Sequence, residues 1–354
     1  MSQPHVESQP LRRVVIDHAE SELGRRLVAT LADDPGAEVV AADRVIEEYA
    51  SGPDPSTGAI DVILLAPGHG PEIDGSTLGG VDVASVRLLV RRLEAVGARA
   101  NSVVVVSSAM VYGAEPDNPL PLTEDAPRRP APDSPFAEAK VALENEAVRS
   151  GQVLGGAPVA VLRPCLVVAP TQAAVNWLSR SLWHGPTARL GSVDPPRQYL
   201  HIDDLVRAID HARRHRLDGA FNVAPSDWIS SSRQLELAGR PAAVRVPDPV
   251  AHRVAEIGWR FLVTSTPPDI VAYAMRAWVV SSDRLRATGW EPRFESAEVF
   301  VIGHHESWWS KLSARRRQDL SLVGLAVLAA AASGGAGSVV RHAVRGRQVG
   351  APGR

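Results

Sequence analysis

Two serines at the end of an apolar run, and a lysine about thirty residues later, are the residues in this 354-residue chain whose types and spacing suit chemistry. Ser107 and Ser108 follow four consecutive valines, 103–106, and precede Tyr112 and Gly113. Lys140 closes the stretch SPFAEAK, 134–140. In an open α/β sheet, ligands bind beyond the carboxyl ends of the strands, so a strand-end serine and a lysine in the first turns of the next helix are placed to meet over one substrate. Four residues before Lys140, where a tyrosine would complete a proton-transfer set, stands Phe136, which has no ionisable group.

The elements that must position these residues read as alternating strands and helices. The valine run is typical of a strand buried on both faces, and Ser134-Pro135 starts the helix that carries Lys140. Upstream, 13–16 reads as a first strand, 22–31 as its helix, and 37–43 as a second strand ending in Asp43. The passage 44–60, with Pro53, Pro55 and Gly58, reads as a connection to the next strand, 61–66. A helix follows over about 80–96, where Val83, Val86, Leu89, Val90 and Leu93 lie close to helical spacing. Downstream, 159–164 is a further buried strand. His201 to Asp204 opens a helix through Ala212, in which Asp203 and Asp204 suit the N-terminal dipole.

The turn 17–24, after the first strand, is where a dinucleotide-binding protein places three glycines for the tight turn, the approach of the pyrophosphate and helix packing. His18 and Ser21 occupy two of those slots, only Gly24 is present, and Glu20 and Glu22 add negative charge. Taken alone, the turn is not a cofactor site. Asp43 falls about twenty residues later, where a carboxylate would bond a ribose 2′-hydroxyl and favour NAD over NADP. A strand-end acid capping the next turn explains it equally well.

A hydrophobic content of 45% with 22% charged residues describes an ordinary soluble globular protein, and a formal net charge of -2 gives no reason to expect a nucleic-acid partner. The single cysteine, Cys165, excludes an internal disulfide framework and fits a reducing cytoplasm. Residues 1–10 read as a disordered polar lead-in with no apolar core, hence no signal peptide.

Six stretches together carry a resemblance: SSAMVYG (107–113), LTEDAPRRP (122–130), SPFAEAKVALE (134–144), VLRPCLVVAP (161–170), QYLHIDDLVRAI (198–209) and AFNVAPSD (220–227). The chain resembles an extended short-chain dehydrogenase/reductase of the NAD-dependent epimerase/dehydratase family over about residues 12–300. The resemblance implies a Rossmann-type doubly wound parallel sheet over 11–165, partly interleaved with a smaller substrate lobe over 166–308, and a tail over 309–354. It implies a serine that orients the substrate oxygen (Ser108), a tyrosine that takes the proton as hydride leaves, and a lysine (Lys140) that lowers the tyrosine's pKa and holds the ribose. It also implies cofactor contacts at Leu23, Gly24, Asp43, Ala66, Lys140 and Pro164, and a nucleotide-sugar-like small molecule as substrate.

Three departures point one way. Phe136 matches the tyrosine, and general acid–base catalysis is worth about 10²–10⁴-fold that a phenyl ring cannot supply. The glycine fingerprint keeps only its last member. Between Asp43 and Asp61 the chain is too short for the family's third strand and its helix; Asp82, where the family has asparagine, is a milder change. Tyr112 or a water held by Ser108 and Lys140 are the candidate substitutes, although the family has a tyrosine at 112 whatever the chemistry.

The rest of the chain offers no second site. Cys165 reads as a small core residue in preference to a pocket wall, and His201 as structural. Trp228 to Pro247 reads as lobe loops and a short helix. Trp259, Phe261, Tyr273 and Trp278 read as aromatic core, and 279–290 resembles the family's closing helix. His304 and His305 lack acids at metal-ligand spacing, so no metal is expected. Beyond about Trp308, Arg315 to Arg317 leads into an uncharged run, 320–340, long enough to span a bilayer but rich in Ala, Gly and Ser. A membrane span, packing on the protein or a homodimer partner, and a loosely attached tail all suit it. The site favours a non-catalytic binding or regulatory relative with weakened NAD or NADP binding over an active nucleotide-sugar epimerase, dehydratase or reductase, and function follows the site rather than the fold.

Overall fold

The structure is a computed structural model that describes residues 11–52, 58–66, 83–131, 134–170, 188–190, 194–237, 244–246, 272–273 and 276–303. The short apolar runs become strands β1 (Arg12–Ile16), β2 (Ala37–Val39), β3 (Ile60–Leu64), β4 (Ala100–Val106) and β5 (Val159–Pro164). Further strands are β6 (Leu166–Val168), β7 (Ala188–Leu190), β8 (Pro196–Arg197), β9 (Tyr199–His201), β10 (Gly219–Val223), β11 (Ile229–Ser230) and β12 (Val244–Val246). Between them lie α1 (Glu22–Ala32), α2 (Ala42–Ala50), α3 (Val83–Ala95), α4 (Pro135–Val153), α5 (Ile202–Arg214), α6 (Ser231–Leu237), α7 (Asp283–Arg286) and α8 (Ser296–Gly303).

One six-stranded sheet in the order β10-β5-β4-β3-β1-β2 forms the centre, and every pairing in it is parallel. Parallel crossovers are right-handed, so a chain moving from β1 to β2 puts α1 on one face, and one moving from β3 through β5 puts α3 and α4 on the other. α5 packs with α1 and α3 with α4 accordingly. With both faces covered, Val103 to Val106 are buried, as are all five residues of β3. Pairs of short strands, β6 with β9, β8 with β11 and β7 with β12, lie outside this sheet, while β10 and α5 return to it.

Two boundaries depart from the sequence reading. The second strand does not extend to Asp43: it stops at Val39, and α2 begins at Ala42. Val45 and Tyr49, four apart, bury one face of α2, and an acid in its first turn suits the helix dipole. The connection over 44–60 therefore holds a helix. Among the described residues no strand lies beyond β2, which leaves the sheet edge there, where the family's third strand was expected to be missing.

At the amino ends of the strands Arg213, 1% exposed, is held by three carboxylates. Its guanidinium meets Asp61 on β3 at 3.1 Å, Asp34 at 3.1 Å and Asp210 at 2.7 Å, and Ser102 donates to the other Asp61 oxygen at 3.0 Å. Removing one partner of a buried ionic cluster leaves uncompensated charge and typically costs about 3–5 kcal/mol. Arg213→Ala is therefore expected to lose that much in urea unfolding. Arg286→Ala, which breaks the exposed pair with Glu291, should leave the urea midpoint nearly unchanged.

Candidate functional site

The chain leaves β1 towards β2 on one side and passes from β3 to β4 on the other, so the reversal point of the sheet is the crevice beyond β1 and β3. Asp17 and His18 follow β1, Leu65 and Ala66 follow β3, Ser107 and Ser108 follow β4, and Pro164 ends β5. α4 begins with Ser134 at its N-cap and Pro135 in its first turn. Phe136, Ala137, Lys140, Leu143, Glu144 and Ala147 recur at three and four residues and form its buried face.

Lys140 is 3% exposed, and its ammonium donates to the Ala66 carbonyl at 3.0 Å and the Val106 carbonyl at 2.9 Å. It therefore joins the ends of the two central strands. The Phe136 ring, also buried, lies with its centroid 5.8 Å from this ammonium. Ser108 caps a single 3-10 turn, Ala109–Tyr112, by accepting the Met110 N–H at 3.2 Å. The structure thus brings Ser108, Phe136, Lys140 and Ala66 to one strand-end region, with the lysine and serine bound to the protein's own backbone.

Tyr112 is not a spare base. Its hydroxyl donates to Asn222 Oδ1 at 2.8 Å and accepts from Arg163 at 2.9 Å, and burial raises its pKa. Arg163 grips Glu144 with two bonds of 2.9 and 2.8 Å, and Ser107 donates to the same carboxylate at 2.6 Å. Burial pulls the Arg163 pKa down, but the Glu144 bonds and charge outweigh it and leave it above the ordinary value. This buried network, with Arg128 on Glu144 at 3.0 Å, was not legible as such in the sequence. Its signals were an acid one helical turn after Lys140 and an arginine inside a buried strand.

The turn after β1 is where the nicotinamide dinucleotide that the resemblance implies would place its diphosphate. His18 stands at the first glycine slot with φ 47°, a left-handed conformation that glycine adopts without penalty. Ser21 is the N-cap of α1, and its hydroxyl already accepts the Gly24 N–H at 3.0 Å. Gly24 keeps its packing role, since a Cβ there would stand 2.4 Å from the His18 carbonyl oxygen. Leu23 packs half-buried against the core beside it. Asp17 adds a buried carboxylate to this turn. Asp43, on α2 rather than at a strand end, is largely exposed and paired with Arg92 at 2.7 Å. The turn thus keeps one of three glycines and carries carboxylates where a diphosphate would be expected.

The remaining candidates are structural. Cys165 is buried and its thiol pKa is raised by burial; it borders a cavity of only about 10 Å³, room for roughly one water. His201 caps α5 by accepting the Asp203 N–H at 3.2 Å. Tyr273 and Trp278 pack edge to face with centroids 5.5 Å apart, and Tyr273 donates to the Met110 carbonyl at 2.8 Å. A larger groove of about 470 Å³ lies between α4, β5 and β10, not over the strand ends. Among the described residues no group of three His, Cys, Asp or Glu suits a metal, and no helix is long and apolar enough to cross a membrane. Trp259, Phe261, Asp82, His304, His305 and 320–340 lie outside the described residues.

This sheet, with a reversal-point crevice and a lysine on the helix after β4, is the architecture of the short-chain dehydrogenase/reductases. Residues 22–224 match the NAD dependent epimerase/dehydratase family, and the chain belongs to it. Similar solved structures include RMD from Pseudomonas aeruginosa complexed with NADPH, at 19% identity and TM-score 0.56 over 85% of this chain and all of that one. Human epimerase family protein SDR39U1 with NADPH is 18% identical, with TM-score 0.57 over 82% of this chain and 99% of that one. Thermus thermophilus UDP-glucose 4-epimerase in complex with NAD is 19% identical, with TM-score 0.56 over 82% and 97%. At these identities the likeness is one of fold. Uncharacterized proteins of Mycobacterium tuberculosis and Mycobacterium bovis are 26% identical over 199 residues, 56% of this chain, and the chain spans about half the length of these curated relatives.

Burial pushes the Lys140 pKa down to about 8, against the opposing charges of Asp17 and Glu144. An unfolded lysine titrates near about 10.4. Below pH 8 both states hold the proton and the burial penalty is fully present; above it the folded state releases the proton first, so stability rises with pH up to the unfolded value. Relative to Lys140→Met, wild type should gain on the order of 1–3 kcal/mol in urea unfolding between pH 7 and pH 10. A flat difference would mean that the two carbonyls keep the ammonium charged throughout.

Proposed function

We propose that this family member has lost conventional hydride transfer and acts as a binding or regulatory module with weakened affinity for NAD and NADP. One observation carries the reading: the proton-transfer position is a buried phenyl ring, Phe136, beside a lysine whose ammonium is bonded to two backbone carbonyls. Without an ionisable hydroxyl there is no group whose pKa Lys140 can lower. A nucleotide-sugar-like small molecule is the ligand class that the family suggests for the module, in a cytoplasmic setting.

The second reading, an active epimerase, dehydratase or reductase, draws on Ser108 and Lys140 at their family positions and on neighbours solved with NAD or NADPH. Calorimetric titration with NAD and NADP, each with and without UDP-sugars, separates the two. The expected result is binding weaker than about 1 mM, which corresponds to only about -4 kcal/mol. No turnover is expected from wild type, and none from Phe136→Tyr while dinucleotide affinity stays low. Micromolar binding by wild type, or activity rescued by Phe136→Tyr alone, would count for the second reading.

A further inference from the structure

Asp17 is the carboxylate at the centre of the hydrogen bonds between the turn after β1 and the end of β3. This side chain is 9% exposed and follows β1 directly into the crevice. One of its oxygens accepts the Leu65 N–H; the other accepts the Ala66 N–H at 3.1 Å and meets His18 Nδ1 at 3.1 Å. Ala66 receives Lys140 on its carbonyl, so a single residue at the end of β3 connects the carboxylate to the ammonium. Ala66 has φ 34° and His18 φ 47°, both left-handed without being glycine. Such conformations persist where the surroundings over-determine them, and they cluster at ligand sites.

A diphosphate at this turn needs free amides and a cation whose charge is not already matched. Here Asp17 takes the two amides after β3, and Ser21 takes that of Gly24. The cations beside the turn are held within the protein. Arg25 donates to the Glu20 backbone carbonyl, which fixes the side chain without neutralising it, and Arg26 lies between Glu22 at 3.7 Å and Asp203 at 2.7 Å. Lys140 has Asp17 and Glu144 as its opposing charges.

We propose that Asp17 is an internal ligand of this crevice: its carboxylate takes the two backbone amides after β3 and places a buried negative charge beside the turn, and so sets the site against diphosphate-bearing ligands. The inference rests on the reading of a weakened dinucleotide site, and it assigns the weakening to one residue.

The test is titration of NADH into the full chain and into Asp17→Asn and Asp17→Ser, with folding checked by circular dichroism. Asn keeps one acceptor for an amide and removes the charge. A folded Asp17 variant is expected to bind NADH at least tenfold more tightly than wild type, while Asp33→Asn, the same charge change at the exposed end of α1, leaves affinity unchanged. His18→Gly opens the same turn and keeps the carboxylate, so it should bind no better than wild type. A tenfold gain in His18→Gly, an equal gain in Asp33→Asn, or folded Asp17 variants as weak as wild type would each overturn the role of Asp17. The last of these leaves the weakened-site reading standing. Micromolar binding by wild type would overturn that reading itself.

Discussion

A guanidinium buried among three carboxylates is the constraint on which the rest of the fold hangs. Arg213 is compatible with burial only when Asp34 from the turn after α1, Asp61 from β3 and Asp210 from its own helix are all in place. The cluster therefore specifies which elements meet at the amino ends of the strands. Those elements also bracket the reversal point of the sheet, so the crevice at the opposite ends takes its shape from an ionic contact on the far side of the core.

The carboxyl ends solve their polar problem in the same way. Lys140 bonds to two strand-end carbonyls, Glu144 to Arg163 and Ser107, and Ser108 to the turn it caps. The polar side chains at these strand ends are thus bonded to backbone groups or to each other within the protein. A working site usually gives up stability to keep polar groups poised, and relaxing that demand lets the same positions stabilise the fold. On the proposed reading of a non-catalytic relative, this would account for intact apolar strands around Phe136.

Much of the fold was legible because its signals are local. Four valines in a row, Ser134-Pro135 ahead of an apolar helix face, and His201 ahead of two acids announce β4, α4 and α5 from neighbouring residues alone. α2 was not, because Val39 to Ala42 reads equally as a strand continuing or a helix beginning, and only two buried residues mark its face. The departures at Phe136, His18 and Ser21 could be read at once, since each is a residue type in a known slot. What they bond to could not. Asp17 reaches amides 48 and 49 residues away, and Arg163 meets a carboxylate on the preceding helix, so neither pairing is implied by spacing.

The sheet edge has a consequence for solution behaviour. Among the described residues the sheet ends at β2, and a sheet edge presents a row of backbone amides and carbonyls that another chain can pair with. Here β2 is only three residues long, and its surroundings are charged: Glu38 lies on the strand with Arg44 3.9 Å away, and Arg44 also holds Glu48 at 2.9 Å. A strand this short offers little template for intermolecular pairing, and an incoming backbone would have to displace ion pairs to reach it. Among the described residues the β2 edge is thus a blunt one that resists edge-to-edge aggregation.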